Sequence, residues 1–248
     1  EKFSMEFFRG RTVSSSSTSD DGVRVLSSVK AYSRFLTVYD TCVEFAPSSS
    51  LASGGSGSGS GLGSSLGLGS SASAVQQFSF DVVGHPRNSF KFACVMPVSI
   101  SDNGQGQPRV TTTVVWEYAQ GLDAICVGFP TGGFDASKHD TIVDTARAEL
   151  AEEARLTGGE LTCLVDVNAH PGMVESKWCR NRFYPFLCVG ADVDANPPPR
   201  DKEEDVRMRV CQVTLDELRR LVKSGDMLAP SVQTAFLGLE ELSRRRYC

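Results

Sequence analysis

Residues 128–156 read GFPTGGFDASKHDTIVDTARAELAEEARL. The stretch opens on the end of an apolar run and a Gly/Pro-rich turn, the mark of a strand leaving a sheet. Ile142, Val143, Ala146, Leu150 and Ala154 then recur at helical spacing, so a helix is predicted, with Ser137 or Asp140 to cap it. On that helix Glu149, Glu152 and Glu153 stand at i, i+3 and i+4 and converge on one face. Like charges placed so destabilise an isolated helix. Two readings are open: a solvated acidic face, or a nest for divalent cations. Hard cations such as Mg²⁺ take oxygen ligands, typically one or two carboxylates completed by a substrate's phosphates.

Outward from this stretch the chain alternates. FSFDVV, FKFACVMPVSI, RVTTTVVWEYA and AICVGFP precede it as strand-like runs between Gly, Pro and Asn turns. ELTCLVDV, RFYPFLCVGADV and VRMRVCQV follow, and TLDELRRLVKSG and PSVQTAFLGLEELSRRR read as two amphipathic helices, the first stopping at Gly225. Strands, helix, strands, helices imply an α/β sandwich with a mixed sheet. Upstream, VRVLSSVKAYSRFLTVYDTCVEF reads as one or two strands, and the Gly/Ser tract after it has too little apolar surface to order itself. That tract is either a linker or an insertion between two strands of one sheet. Insertion is the preferred reading, because the part before it is too short to fold alone. The expected layout is 1–47 with β-strands, 48–76 as flexible insertion and 77–248 as the main domain.

The 248 residues carry 25 Lys and Arg against 30 Asp and Glu, and this acidic balance argues against a broad nucleic-acid surface. Cysteines inside KFACVM, AICVGF and FLCVGA read as buried free thiols of a reducing compartment. No CxxC pair suggests structural zinc, and no apolar run has membrane-spanning length. The expectation is a soluble intracellular protein. The chain begins at Glu1 rather than Met, so an upstream piece is expected. Its loss could have removed a targeting peptide, which keeps mitochondrial beside cytoplasmic location.

The strand, Gly turn and acidic helix resemble the signature of the Nudix hydrolase superfamily. Its box runs glycine, five residues, glutamate, seven residues, then Arg-Glu-aliphatic-x-Glu-Glu-x-Gly-aliphatic. Glu149, Leu150, Glu152, Glu153 and Leu156 match its second half. Asp140 falls at the first glutamate, and Gly133 at the glycine with one extra residue allowed. Ala148 replaces the box arginine, with Arg147 next door, and Arg155 replaces the second glycine. That missing glycine is expected to let the helix run on to 157–159, where Gly158 would cap it. Downstream, HPGMVESKWCRNRFYPFLCVGADV places Pro171, Gly172 and Glu175 as in ADP-sugar pyrophosphatases, and the chain from Asp201 to Leu242 resembles that subfamily's ending. The resemblance spans roughly residues 75 to 243. It implies a Nudix-type α/β/α sandwich plus a small N-terminal β-element, which in that subfamily often mediates dimerisation.

What it implies for chemistry is a Mg²⁺- or Mn²⁺-dependent pyrophosphohydrolase. Glu149 and Glu153 would ligate metal, Glu152 would ligate or hold the cluster, and the Thr131 carbonyl and Glu204 would add ligands. Glu203 is the nearest candidate for the base that activates water. Gly132, Gly133 and Glu175 would lie against substrate. Among the remaining residues, Trp178 is a candidate to stack on a base, with Arg180 and Arg182 for phosphates. Trp116 reads as core, His139 as solvated and His170 as packed. Ala119 and Gly128 stand where the subfamily has a substrate arginine and a glutamate, so ADP-ribose is not singled out. Any nucleoside diphosphate joined to another group, or the 5′ end of an RNA, fits as well. The rival reading is a catalytically weakened Nudix-fold subunit that binds a nucleotide or RNA end within a larger complex. A homodimer through the N-terminal strands, or assembly with other proteins, is the partner expectation.

Overall fold

The computed structural model describes residues 22–46, 75–102, 108–169, 171–200 and 208–247. They fall into two compact units that meet in sequence between Gly84 and His85. In the first, β1 (Val23–Ser33), β2 (Thr37–Phe45) and β3 (Gln76–Gly84) form an antiparallel sheet in that order. The first β-rich stretch thus holds two strands. FSFDVV, which we expected to open the main domain at 77, pairs instead with β2, so the N-terminal unit runs on to Gly84. The physical reason is pairing: Phe78 faces Val43 and Phe80 faces Thr41 across the ladder. The Gly/Ser tract therefore connects two neighbouring strands of one sheet. Phe45, Phe78 and Phe80 share one face of it, with the Phe45 and Phe78 rings edge to face at 5.8 Å.

The second unit is built on an eight-stranded mixed sheet. Its path runs β11 (Arg209–Thr214), β5 (Pro108–Ala119), β4 (Lys91–Asp102), β10 (Arg182–Val193), β8 (Leu156–Cys163). Three short strands extend it: β6 (Ala124–Gly128) on β5, β7 (Thr131–Gly133) on β4 and β9 (Met173–Val174) on β10. Only β4 and β10 are parallel; every other pair is antiparallel. The alternating residues of β4 decide the layering. Ala93 and Val95, with Tyr184 and Phe186 of β10, pack beneath Ala146 and Leu150 of α1 (Ile142–Glu152). Cys94, Met96 and Val98 join Leu218 of α2 (Leu215–Ser224) and Ala235 and Leu242 of α3 (Ala229–Arg244) on the opposite face. The result is the expected α/β/α sandwich. Full burial of Leu150 alone is worth about 1.5–3 kcal/mol.

Both ends of α1 differ from expectation. Neither Ser137 nor Asp140 caps it. Thr141 does, accepting from the Asp144 N–H while Asp144 accepts from the Thr141 N–H at 2.8 Å, a reciprocal capping box. Ser137 is held instead by Asp135, through both its N–H and its hydroxyl. At the other end the helix stops at Glu152 rather than running to Gly158, and β8 begins at Leu156. Arg155 takes φ = +60°, the left-handed conformation that favours glycine, so the chain turns here although the glycine is missing. Two bonds hold it there: its guanidinium donates to the Pro198 carbonyl, and its own carbonyl accepts from the Asp194 N–H at 2.9 Å. α2 follows the sequence closely, with a Thr214–Glu217 capping box and Gly225 at φ = +90°.

All seven described cysteines are unpaired, and the buried ones are Cys94, Cys126 and Cys188, those of the three apolar runs. No helix among the described residues is long and apolar enough to cross a membrane.

Candidate metal-carboxylate site

The turn between β6 and β7 is fixed before any functional side chain is considered. Ser231, at the start of α3 and almost fully buried, accepts from the Phe129 N–H at 2.9 Å. The Pro130 carbonyl accepts from the Val95 N–H, and the Thr131 hydroxyl donates to the Phe129 carbonyl at 2.8 Å. The approach to α3 adds a further clamp, the Val127 N–H donating to the Asp226 carbonyl and the Leu228 N–H to the Val127 carbonyl. Thr131, Gly132 and Gly133 then pair with Cys94, Ala93 and Phe92.

The end of α1 lies against this strand. Glu153 is 5% exposed, and its Oε2 accepts from the Thr131 N–H at 2.8 Å. Glu149 lies directly over Gly132: a Cβ built on that glycine would fall within the Glu149 carboxylate. Only glycine leaves that space. Gly133 likewise gives room to the Asn88 side chain. Glu152, half-buried, is the last helical residue of α1. Thr131, Gly132, Glu149 and Glu153 thus lie together, with the Thr131 N–H already engaged. Behind them burial pushes the Cys94 thiol pKa up, against hydrogen bonds from Thr131, Thr234 and Ser231, and the Glu153 charge adds to the rise. Cys94 is therefore a neutral wall of the site.

Three carboxylates near a helix C-terminus oppose the macrodipole, and the last turn of α1 has no basic residue. Arg147 does not serve, since its guanidinium donates to the Gly158 and Gly159 carbonyls of β8. The cation comes from Arg200, which sequence reasoning missed. Its Nε donates to the Glu152 carbonyl at 3.1 Å and its Nη2 to the Glu153 carbonyl at 2.5 Å. No local pattern marks a residue so far along the chain as the cap of this helix. Ser231 was missed for the same reason.

The other candidates sit on the segment leading into β10. Across the sheet Phe183 pairs with Phe92, and Phe92 with Gly133, so this segment starts two strand spacings, about 10 Å, from the Gly132 turn. Arg182 is committed locally, donating to the Gly172 carbonyl at 2.9 Å. Trp178 is 54% exposed, with the Lys177 ammonium 4.3 Å from its ring centroid. Glu175 is exposed and takes a weak bond from the Cys179 thiol. Burial raises the pKa of that thiol to about 11, which removes it as a nucleophile. Arg180 is half-buried, and the missed residue here is Asn181, 3% exposed, which binds both the backbone and the ring of His85. Trp116 packs on the core as expected, whereas His139 shares a 3.2 Å hydrogen bond with Thr145. Glu203, Glu204 and His170 lie outside the described residues. Among the described residues, no three His, Cys, Asp or Glu side chains are gathered closely enough to hold a metal ion.

No model of a known protein family matches this chain, and no curated protein matches it. A solved structure of an ADP compounds hydrolase superposes on it with a TM-score of 0.58 at 18% identity, covering 94% of this chain and 100% of that one. At that identity the likeness establishes the fold alone, a mixed α/β architecture.

Proposed function

We propose that the chain is a divalent-metal-dependent pyrophosphohydrolase that splits a nucleoside diphosphate joined to a second group. The observation that carries this reading is the convergence of Glu149 and Glu153 on the Thr131–Gly132 strand. The donor set is all hard oxygen, which suits Mg²⁺ or Mn²⁺ and not a soft metal. Glu149 and Glu153 would hold it together with Glu204 and the Thr131 carbonyl, with Glu152 ligating or holding the cluster and Glu203 as the base. A bound cation would neutralise the diphosphate and lower the pKa of attacking water.

The chain's own residues do the arranging. The Thr131 N–H fixes one oxygen of Glu153 and so aims the other. Gly132 leaves the room that the Glu149 carboxylate occupies, so that this ligand can lie against the strand. Trp178 offers a face to a base, and Arg180 lies beside it in the chain for a phosphate. The fold likeness to a hydrolase of ADP compounds supports testing ADP-linked substrates first. The apolar face of the N-terminal sheet supports a homodimer through those strands. One observation favours the binding-subunit alternative: residue 148 is alanine and Arg147 is turned away to β8.

The test is phosphate-product release with Mg²⁺ or Mn²⁺ from ADP-ribose, a UDP-sugar, NADH, a dinucleoside polyphosphate and a 5′-triphosphorylated RNA. A Glu152→Gln/Glu153→Gln variant runs in parallel. Turnover that the variant abolishes is the expected result. No turnover on any member, with Mn²⁺ still raising the wild-type Tm, would favour the binding subunit instead.

A further inference from the structure

The final turn of α1 has a problem that its own sequence does not solve. The last carbonyls of a helix lack intrahelical partners. Here they lie in the same turn as Glu149, Glu152 and Glu153, so negative dipole and negative side chains coincide. Glu153 is buried, and its grip on the Thr131 N–H depends on where this turn places it. Arg200 reaches two of the terminal carbonyls at once, those of Glu152 and Glu153. The planar fork of a guanidinium presents two donors in fixed geometry for this, where an ammonium is a single point charge on a flexible stem. The same segment is tied to the helix end a second time, by the Arg155 guanidinium on the Pro198 carbonyl and the Asp194 N–H on the Arg155 carbonyl.

We infer that Arg200 is a positioning residue for the metal-binding carboxylates: by binding the Glu152 and Glu153 carbonyls it fixes the turn that aims both side chains. Its charge also offsets their repulsion before a cation arrives. This role rests on the pyrophosphohydrolase reading.

The test is Mn²⁺ binding to the purified chain, followed by the electron paramagnetic resonance signal of free Mn²⁺, beside turnover of the best substrate. Arg200→Gln is expected to weaken Mn²⁺ binding about tenfold or more, the usual scale for a residue that orients a ligand. It should lower kcat more than it changes KM. Arg200→Lys should recover part of the affinity, and Arg147→Ala, whose bonds go to β8, should match wild type. Wild-type affinity in Arg200→Gln, even with a lower Tm, would reduce Arg200 to a helix cap and overturn the role alone. A wild-type chain that binds no Mn²⁺ overturns the role together with the proposed function. Should the Gln variant fail to fold, the Lys variant decides: affinity a few-fold below wild type supports the role, and equality overturns it.

Discussion

Replacing Arg155 by glycine and by alanine separates two effects that the native side chain combines. At φ = +60° a residue with a Cβ bears a cost of roughly 1–2 kcal/mol, which glycine escapes. Glycine gives back roughly 0.5–1 kcal/mol through the greater freedom of its unfolded chain. Both variants lose the guanidinium bond to the Pro198 carbonyl, worth about 1 kcal/mol at a half-buried site. Arg155→Ala should therefore be about 1 kcal/mol less stable than wild type. Arg155→Gly should stand roughly 0.5–1 kcal/mol above the alanine variant, an advantage of about 1–4 °C in Tm. Urea unfolding followed by tryptophan fluorescence reads this cleanly, because both tryptophans, Trp116 and Trp178, belong to the second unit. A helix running through to Gly158 would reverse the order, since glycine costs about 1 kcal/mol against alanine inside a helix. An alanine variant more stable than the glycine variant would thus refute the left-handed turn at Arg155.

Gly132→Ala should expel the Glu149 carboxylate from its place, cutting Mn²⁺ affinity at least tenfold while Tm moves little, because the displaced atoms end a flexible side chain; calorimetric titration checks it. Ser231→Ala removes the acceptor of the buried Phe129 N–H and should cost about 1–3 kcal/mol in urea unfolding. Glu241 is gripped by Arg244 and Arg245, which pull its pKa from its ordinary 4.5 to about 2. A depressed folded pKa stabilises above the unfolded value and is lost as pH falls, so the gap between wild type and Glu241→Gln should be constant near neutrality and close between about pH 4.5 and 2. Phe78→Glu, at a position 48% exposed on the apolar face of the first sheet, should shift sedimentation from dimer to monomer; a wild-type monomer would remove that partner.

The elements that the sequence made legible are those with a strong period or a strong stop. β4 alternates toward two cores, α2 carries its capping box in TLDE, and Gly225 ends it. The carboxylate spacing of Glu149 and Glu153 was legible because a helix turns that spacing into a common face. Four things were not. The cap of α1 was expected at Ser137 or Asp140, and only the reach of Asp144 back to Thr141 places it at Thr141. The end of α1 has no glycine to announce it, since long-range bonds to Pro198 and Asp194 hold Arg155 where glycine would go unaided. Arg200 and Ser231 act across the fold, and no window of sequence contains both them and their partners. β8 was obscured for a related reason: Gly158 was expected to cap α1, yet it pairs with Ala191 of β10 at positive φ.

The register of the first sheet has a practical corollary. Phe45 and Gln76 are direct partners across β2 and β3, so the 30 residues from Ala46 to Val75 begin and end side by side. A turn of two residues spans such a gap. Closing the longer loop costs only about 2 kcal/mol more, at roughly 0.6 kcal/mol per doubling of length. The strands, not the connection, set the alignment. The chain can therefore be trimmed there to an Asn-Gly turn, or opened to carry a fluorescent or affinity module, without moving a single rung of the ladder.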